Sequence, residues 1–265
     1  YSEVIPKGYD VTRRSYDTLD PCGRVLYLVD SAQAPASKGR AWPVIGNFPK
    51  ERFEASSVGR DDDALKGVNS AHGIRTTIKM RLADQDSTVE LWTVTVQNAT
   101  RRLRQLRVVP YLEWVLTRAM DDRFHTQYAR LFCEMEYVSE ANAILAWHKS
   151  TKSLGILAVD LAPEGFLTSR MDFIGRARSI WTPRIVETLD FLEARDTAPH
   201  TTFDPIGSLM VSVTLHPRAS RTIRIMLGYA QKREQALAVI HQHLKPQTAH
   251  VAPSKRRAQK SPQIG

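Results

Sequence analysis

Glu134 and Glu136 stand two apart in the run Phe132-Cys133-Glu134-Met135-Glu136-Tyr137-Val138, whose alternation predicts a strand. Two strand residues put both carboxylates on one face, roughly 6.5–7 Å apart along the backbone. That is near the separation at which inverting glycosidases place a general acid and a general base. Paired acids on a sheet face are also the ordinary partners of Arg and Lys on neighbouring strands, and the spacing by itself favours that structural role.

Other reactive side chains form weaker patterns. His241 and His243, with His250 beyond, are spaced i and i+2 on a predicted helix, so their rings diverge rather than converge on a metal. His72, beside Gly73, and His125 are lone histidines near predicted loops. Asp61-Asp62-Asp63 lacks the glycine and distal glutamate of a calcium loop and reads as solvated. No Ser/His/Asp order assembles. Five tryptophans could stack on sugar rings. Trp92 and Trp114 alternate with aliphatic residues and belong to a core. Trp42, beside Pro43, and Trp181, just before Thr182, are expected on loops, where an indole can serve as a platform.

The elements that must position these groups are strands. Ile74, Thr76, Ile78, Met80 and Leu82 face one way while Arg75, Thr77, Lys79 and Arg81 face the other. Leu209 to Leu215 and Ile223 to Leu227 alternate in the same manner across His216–Ser220, predicting an antiparallel hairpin. Further strands are expected at 25–29, 89–96, 106–116, 132–138, 143–147 and 154–159. Short connections between so many strands predict an all-β fold with minor helix, a large antiparallel sandwich. One helix is expected after the Thr182-Pro183 cap, with Ile185, Leu189 and Leu192 on a face, and another over 232–243 with Leu237, Ile240 and Leu244. The stretch 31–63 reads as loop, anchored by Trp42, Ile45, Phe48 and Phe53.

Composition bounds the rest. With 265 residues, 42% hydrophobic and 25% charged, the chain suits a folded domain over 1–244 and excludes collagen or a disulfide miniprotein. No run is long and apolar enough for a membrane helix. The chain opens on Tyr1 rather than methionine, as a trimmed terminus or a piece of a longer protein would. Cys22 and Cys133 match no metal or redox spacing and fit a reducing compartment. Of the net charge of +9, Lys245, Lys255, Arg256, Arg257 and Lys260 contribute five in a terminal stretch, 245–265, without acidic residues. That Pro/Gln-rich stretch reads as a tail or linker, and a nucleic-acid partner is not expected.

Several segments, in order, resemble a known family. Leu131 to Ala146, LFCEMEYVSEANAILA, is similar to the LFVETEY...ANALLA segment of the phosphorylases of glycoside hydrolase family 94, formerly glycosyltransferase family 36, which include the phosphorylase-like region of cyclic β-1,2-glucan synthases. Asp86 to Thr100 resembles a family strand ending in N-x-S/T, and Tyr111-Leu112-Glu113 its Y-x-E. Phe173 to Ser179 is similar to FLGRGRS, with Ala177 where the family often has glycine, and Asp204 to Leu209 to DP-x-x-SL. Around Trp42 the family's WSPT-like residues are replaced.

The resemblance implies an amino-terminal β-supersandwich, related to galactose-mutarotase-like folds, in bacterial enzymes that make or phosphorolyse β-glucans. It implies that the general acid sits on a separate (α/α)6 barrel, and that Glu134 and Glu136 are structural or supportive. The expected role is non-catalytic: packing on that barrel, helping a homodimer form, and shaping the site for a β-glucan or oligosaccharide. Saccharide contacts are expected from Trp42, Arg170, Arg176 and Asp204. No cofactor or metal is expected, inorganic phosphate being a co-substrate of the parent enzyme if that enzyme is a phosphorylase. The expected location is cytoplasmic, including the cytoplasmic portion of an inner-membrane synthase. Two alternatives stay open: a free-standing carbohydrate-binding protein, and a hydrolase or epimerase working through Glu134 and Glu136.

Overall fold

A computed structural model describes residues 8–13, 23–31, 41–45, 55–84 and 88–244. Its strands, in chain order, are β1 (Asp10–Thr12), β2 (Arg24–Asp30), β3 (Ala41–Ile45), β4 (Ala55–Asp61), β5 (Ala64–Ala71), β6 (Ile74–Leu82), β7 (Val89–Asn98), β8 (Arg104–Thr117), β9 (Cys133–Val138), β10 (Ala143–His148), β11 (Ser153–Val159), β12 (Gly165–Ser169), β13 (Leu192–Glu193), β14 (His200–Thr201), β15 (Pro205–Leu215) and β16 (Ser220–Ala230). The helices are α1 (Ala119–Arg130), α2 (Arg170–Ile174), α3 (Ile185–Thr188) and α4 (Arg233–His243).

Among the described residues the strands form two antiparallel sheets. The smaller runs β13-β12-β15-β8-β2-β3, with β1 also on β8, and the larger runs β14-β9-β10-β11-β16-β7-β6-β5-β4. The expected all-β sandwich is the observed architecture. Its inner layer takes the apolar phase of nearly every long strand: Leu26 and Leu28, Val94 and Val96, Leu112 and Trp114, Leu209 to Leu215, Ile223 to Leu227. Trp92 and Trp114 lie in this layer, as alternation predicts. The opposite phases are covered separately. Tyr27, Tyr111 and Ile206 on the outer face of the smaller sheet pack under α2 and α3, while Leu145, Ile156 and Met226 on the outer face of the larger sheet meet Ala236 and Ile240 of α4. Strands buried on both faces lose their polar phase, which is why β11 reads as the unbroken run SLGILAV.

Three expectations need correction. The first is the hairpin: β15 and β16 are consecutive but belong to different sheets, β15 between β12 and β8, β16 between β11 and β7. Alternation reports which face is buried and not which strand is the neighbour. Two strands facing each other across a core and two paired side by side therefore have the same pattern. Asn98 pins the crossing. Wholly buried, it directs its amide nitrogen to the carbonyls of Leu215 (3.2 Å), His216 (3.1 Å) and Arg102 (2.7 Å), and its oxygen accepts from Thr100 N–H at 3.0 Å. The Asn98-Ala99-Thr100 motif is thus a corner clamp.

The second correction concerns 31–63. Residues 41–45 and 55–61 are strands, and Trp42 is a core residue at 3% exposure, its ring 5.0 Å from that of His72. Phe48 and Phe53 lie outside the described residues, as do Cys22, His250 and the stretch 245–265. The third is the helix after Thr182, which lasts one turn: Arg184 caps it, Leu189 turns left-handed at φ 56°, and Leu192 joins β13. The helix over 232–243 forms as α4.

Ala177 carries a cost of its own. It is exposed and sits at φ 56°, left-handed space that an L side chain enters only at an energetic penalty. Ala177→Gly is therefore expected to stabilise the protein by about 0.5–1 kcal/mol, seen as a higher urea midpoint at unchanged slope. An unchanged or lowered midpoint would contradict the strain.

Candidate functional site

The densest polar cluster lies at one end of the smaller sheet. β8 directs Tyr111 and Glu113 to the outer face, two residues apart, and Glu113 is 3% exposed. Its Oε1 accepts from Tyr111 Oη at 2.7 Å and from Arg170 Nε at 3.1 Å, and its Oε2 from Arg13 at 3.1 Å. Arg13 turns its remaining donors to buried Asp122 of α1, at 2.7 and 3.1 Å. On the other side Arg170 lies 3.7 Å from Asp204, which also pairs with Arg130 at the end of α1. The result is an alternating chain, Asp122–Arg13–Glu113–Arg170–Asp204–Arg130, with three cations and three anions.

Each member comes from a different place in the sequence: after β1, on β8, at both ends of α1, at the start of α2, and just before β15. Burial, then the Glu113 charge, pushes the Tyr27 and Tyr111 phenols well above their ordinary range, so both stay protonated donors. Burial works against the Arg170 cation, yet Glu113, then Tyr111 and Asp204, more than restore it. Burial pushes the Asp204 carboxyl up, opposed by Arg170 and Arg13. A raised carboxyl is what general acids use, but here guanidinium groups hold both sides of it. The cluster can fix loop geometry; every acid in it already has a cation, and it presents no activated nucleophile.

Of the four expected contact residues, two, Arg170 and Asp204, come together in this cluster. Arg176 is exposed on the turn after α2 and takes no part, and Trp42 is buried between the sheets. Trp181, expected at the surface, packs partly buried against the layer under α2 and α3. Arg13, Asp122 and Arg130 carry no local motif; the sequence singled out only Arg170, Asp204 and the Tyr111-x-Glu113 segment among the members of this cluster.

Glu134 and Glu136 do share a face, and each has a cation: Lys149 Nζ lies 2.6 Å from Glu134, and Arg233 Nε donates to Glu136 at 2.9 Å. They line a shallow cleft of about 350 Å³ with Leu145, Trp147 and the start of α4. Asp61 pairs with Lys79 and Lys66, and its carboxyl is lowered chiefly by the Lys79 hydrogen bond. Among the described residues no three His, Cys, Asp or Glu side chains are placed to hold a metal ion.

The surface feature that the sequence reading missed is α1. Met120, Phe124, Tyr128 and Leu131 are 59%, 64%, 66% and 51% exposed along α1, which leaves helical geometry at His125 (φ −133°, ψ 38°), so Met120 and Phe124 precede the kink, Tyr128 follows it and Leu131 caps the C-terminus. Phe203, 84% exposed, shares a small cleft of about 210 Å³ with Leu131, Thr201 and Thr202, and its neighbour Asp204 pairs with Arg130. The spacing was readable, but a helix whose polar residues face inward defeats a search for apolar stripes facing a core.

The profile described as "Glycosyl hydrolase 94, supersandwich domain" matches residues 6–246. The chain belongs to this family. No curated protein matches. Among solved structures, the supersandwich domain is similar to a putative kojibiose phosphorylase from the human microbiome (TM-score 0.47, 10% identity, 92% of this chain and 29% of that one). A polysaccharide lyase matches at TM-score 0.47 and 12% identity, over 84% of this chain and 28% of its own. A putative aldose 1-epimerase from Escherichia coli K12 matches at TM-score 0.42 and 9% identity, over 83% and 89%. The chain thus spans less than a third of the phosphorylase and the lyase. No helix among the described residues is long and apolar enough to cross a membrane.

Proposed function

We propose that this supersandwich domain is the non-catalytic part of a glycoside phosphorylase or cyclic β-1,2-glucan synthase-like enzyme, docking through α1 and the 201–204 segment onto a helical catalytic domain. The observation that carries the reading is the exposed stripe Met120–Phe124–Tyr128–Leu131 with Phe203 beside it. Contiguous large apolar side chains on an otherwise polar helix mark a protein contact more often than a free surface. Beneath the stripe the buried ion-pair chain ties both ends of α1 to the sheet, giving a firm platform. In this reading the occupant is a helical barrel of the same carbohydrate-active enzyme, presenting an apolar face, and membership of the supersandwich family supports such a partner. Catalysis belongs to that barrel, with phosphate as its co-substrate if the enzyme is a phosphorylase. Arg170 and Asp204 position the loop at the contact, and a saccharide would be bound where the two domains meet.

Hydroxyl-radical footprinting of the full-length protein against the isolated chain tests this. Met120, Phe124, Tyr128 and Phe203 are expected to label several-fold more slowly in the full-length protein, and the isolated chain is expected to be inert in phosphorolysis. Equal labelling in both would refute docking through α1, and turnover by the isolated chain would refute the non-catalytic role.

A further inference from the structure

The cleft on the outer face of the larger sheet has a composition that the docking reading does not use. The β9–β10 register sets Trp147 opposite Glu134 and Leu145 opposite Glu136, so an indole and a leucine on β10 form an apolar floor beside two carboxylates on β9. The start of α4 closes the far wall with Lys232 and Arg233. Trp147 is half-buried, which leaves part of its indole toward solvent. Lys149 and Arg233 meet the two carboxylates at Oε1, and a carboxylate offers about four acceptor positions. We propose that this cleft binds a neutral saccharide.

The chemistry that selects a sugar is the combination. A pyranose has an apolar C–H face for the indole and a rim of hydroxyls, each both donor and acceptor. Here acceptors (Glu134, Glu136) and donors (Arg233, Lys232) surround one aromatic floor. An inorganic anion would meet the two carboxylates, and a purely apolar ligand would bury them without compensation. Sugar hydroxyls satisfy both signs without breaking the Lys149 and Arg233 pairs that hold the carboxylates in place. The cleft volume of about 350 Å³ lies at the lower end of small-molecule sites, which span roughly 300–1,000 Å³. The site lies on β9, β10 and α4, separate from the α1 stripe, so it stands whether or not docking through α1 is correct.

Isothermal titration with cellotetraose, with a linear β-1,2-linked gluco-oligosaccharide and with inorganic phosphate tests the proposal on the 265-residue chain. Weak saturable binding of at least one oligosaccharide is expected, with none of phosphate. Trp147→Leu, which keeps an apolar floor without a ring to stack on, and Glu136→Gln, which keeps the shape, are each expected to weaken binding by about tenfold or more, with melting temperatures near the parent's. Val58→Ser, at an exposed position on β4 away from the cleft, is expected to leave binding unchanged. Absence of binding by either oligosaccharide, binding unaffected by Trp147→Leu, or displacement of the sugar by phosphate would each overturn the assignment.

Discussion

Glu113→Ala is expected to destabilise the protein by about 3–5 kcal/mol, the usual cost of removing one partner from a buried ionic network. Glu113 is the middle of the chain of charges: its removal leaves Arg13 and Arg170 facing a cavity and the Tyr111 hydroxyl without its acceptor. Arg13 retains Asp122 and Arg170 retains Asp204, so the damage stays short of two fully unpaired cations. At roughly 2–4 °C per kcal/mol for a domain of this size, the melting temperature should fall by about 10 °C. A double replacement, Glu113→Leu with Arg170→Met, removes the central pair together and should cost less than Glu113→Ala. Urea denaturation followed by tryptophan fluorescence would measure both variants against the parent. A Glu113→Ala loss below about 1 kcal/mol would mean that the network behaves as a solvated surface cluster.

The second large effect is expected at Trp114. Its indole fills a slot whose walls are glycines: a Cβ on Gly155 of the facing sheet would lie 2.7 Å from the ring, and one on Gly207 of the adjacent strand 2.9 Å. Trp114→Ala is expected to cost about 3–5 kcal/mol, because the flanking glycines have no side chain with which to collapse into the space. In reverse, Gly155→Val should cost about 1–3 kcal/mol through overpacking. The two defects should partly cancel: Trp114→Leu with Gly155→Val is expected to be more stable than the sum of the single losses allows, a coupling that double-mutant cycles resolve. The indole N–H meets no acceptor among the described residues, so apolar burial and close packing hold the ring there. Strict additivity would show that ring and glycine do not share the slot.

Layering was legible from alternation alone. Ile74, Thr76 and Ile78 are buried and Arg75, Lys79 and Arg81 exposed, as the period of two requires. Neighbour identity was not, and β15 and β16 show why: a period fixes the face a side chain takes, while pairing is decided by what else competes for each sheet position. Trp42 misled for a related reason, since Pro43 beside it looks like a loop marker yet occupies β3 at the end of its sheet, where proline is tolerated. At the polar cluster, Arg170 and Asp204 were named from the sequence, but Arg13, Asp122 and Arg130 were not. Buried ion pairs joining residues about a hundred positions apart leave no local spacing to read.

The crossing of β15 and β16 between sheets has a consequence for how the molecule is made. Both strands sit inside their sheets, β15 joining β12 to β8 and β16 joining β11 to β7, so each sheet consists of two unconnected halves until residues 205–230 arrive. Everything synthesised before them leaves four open edges with unpaired backbone groups, a state prone to wrong partners. The last long strands act as twin zippers, and a nascent chain that stalls or is cut before them has neither sheet closed.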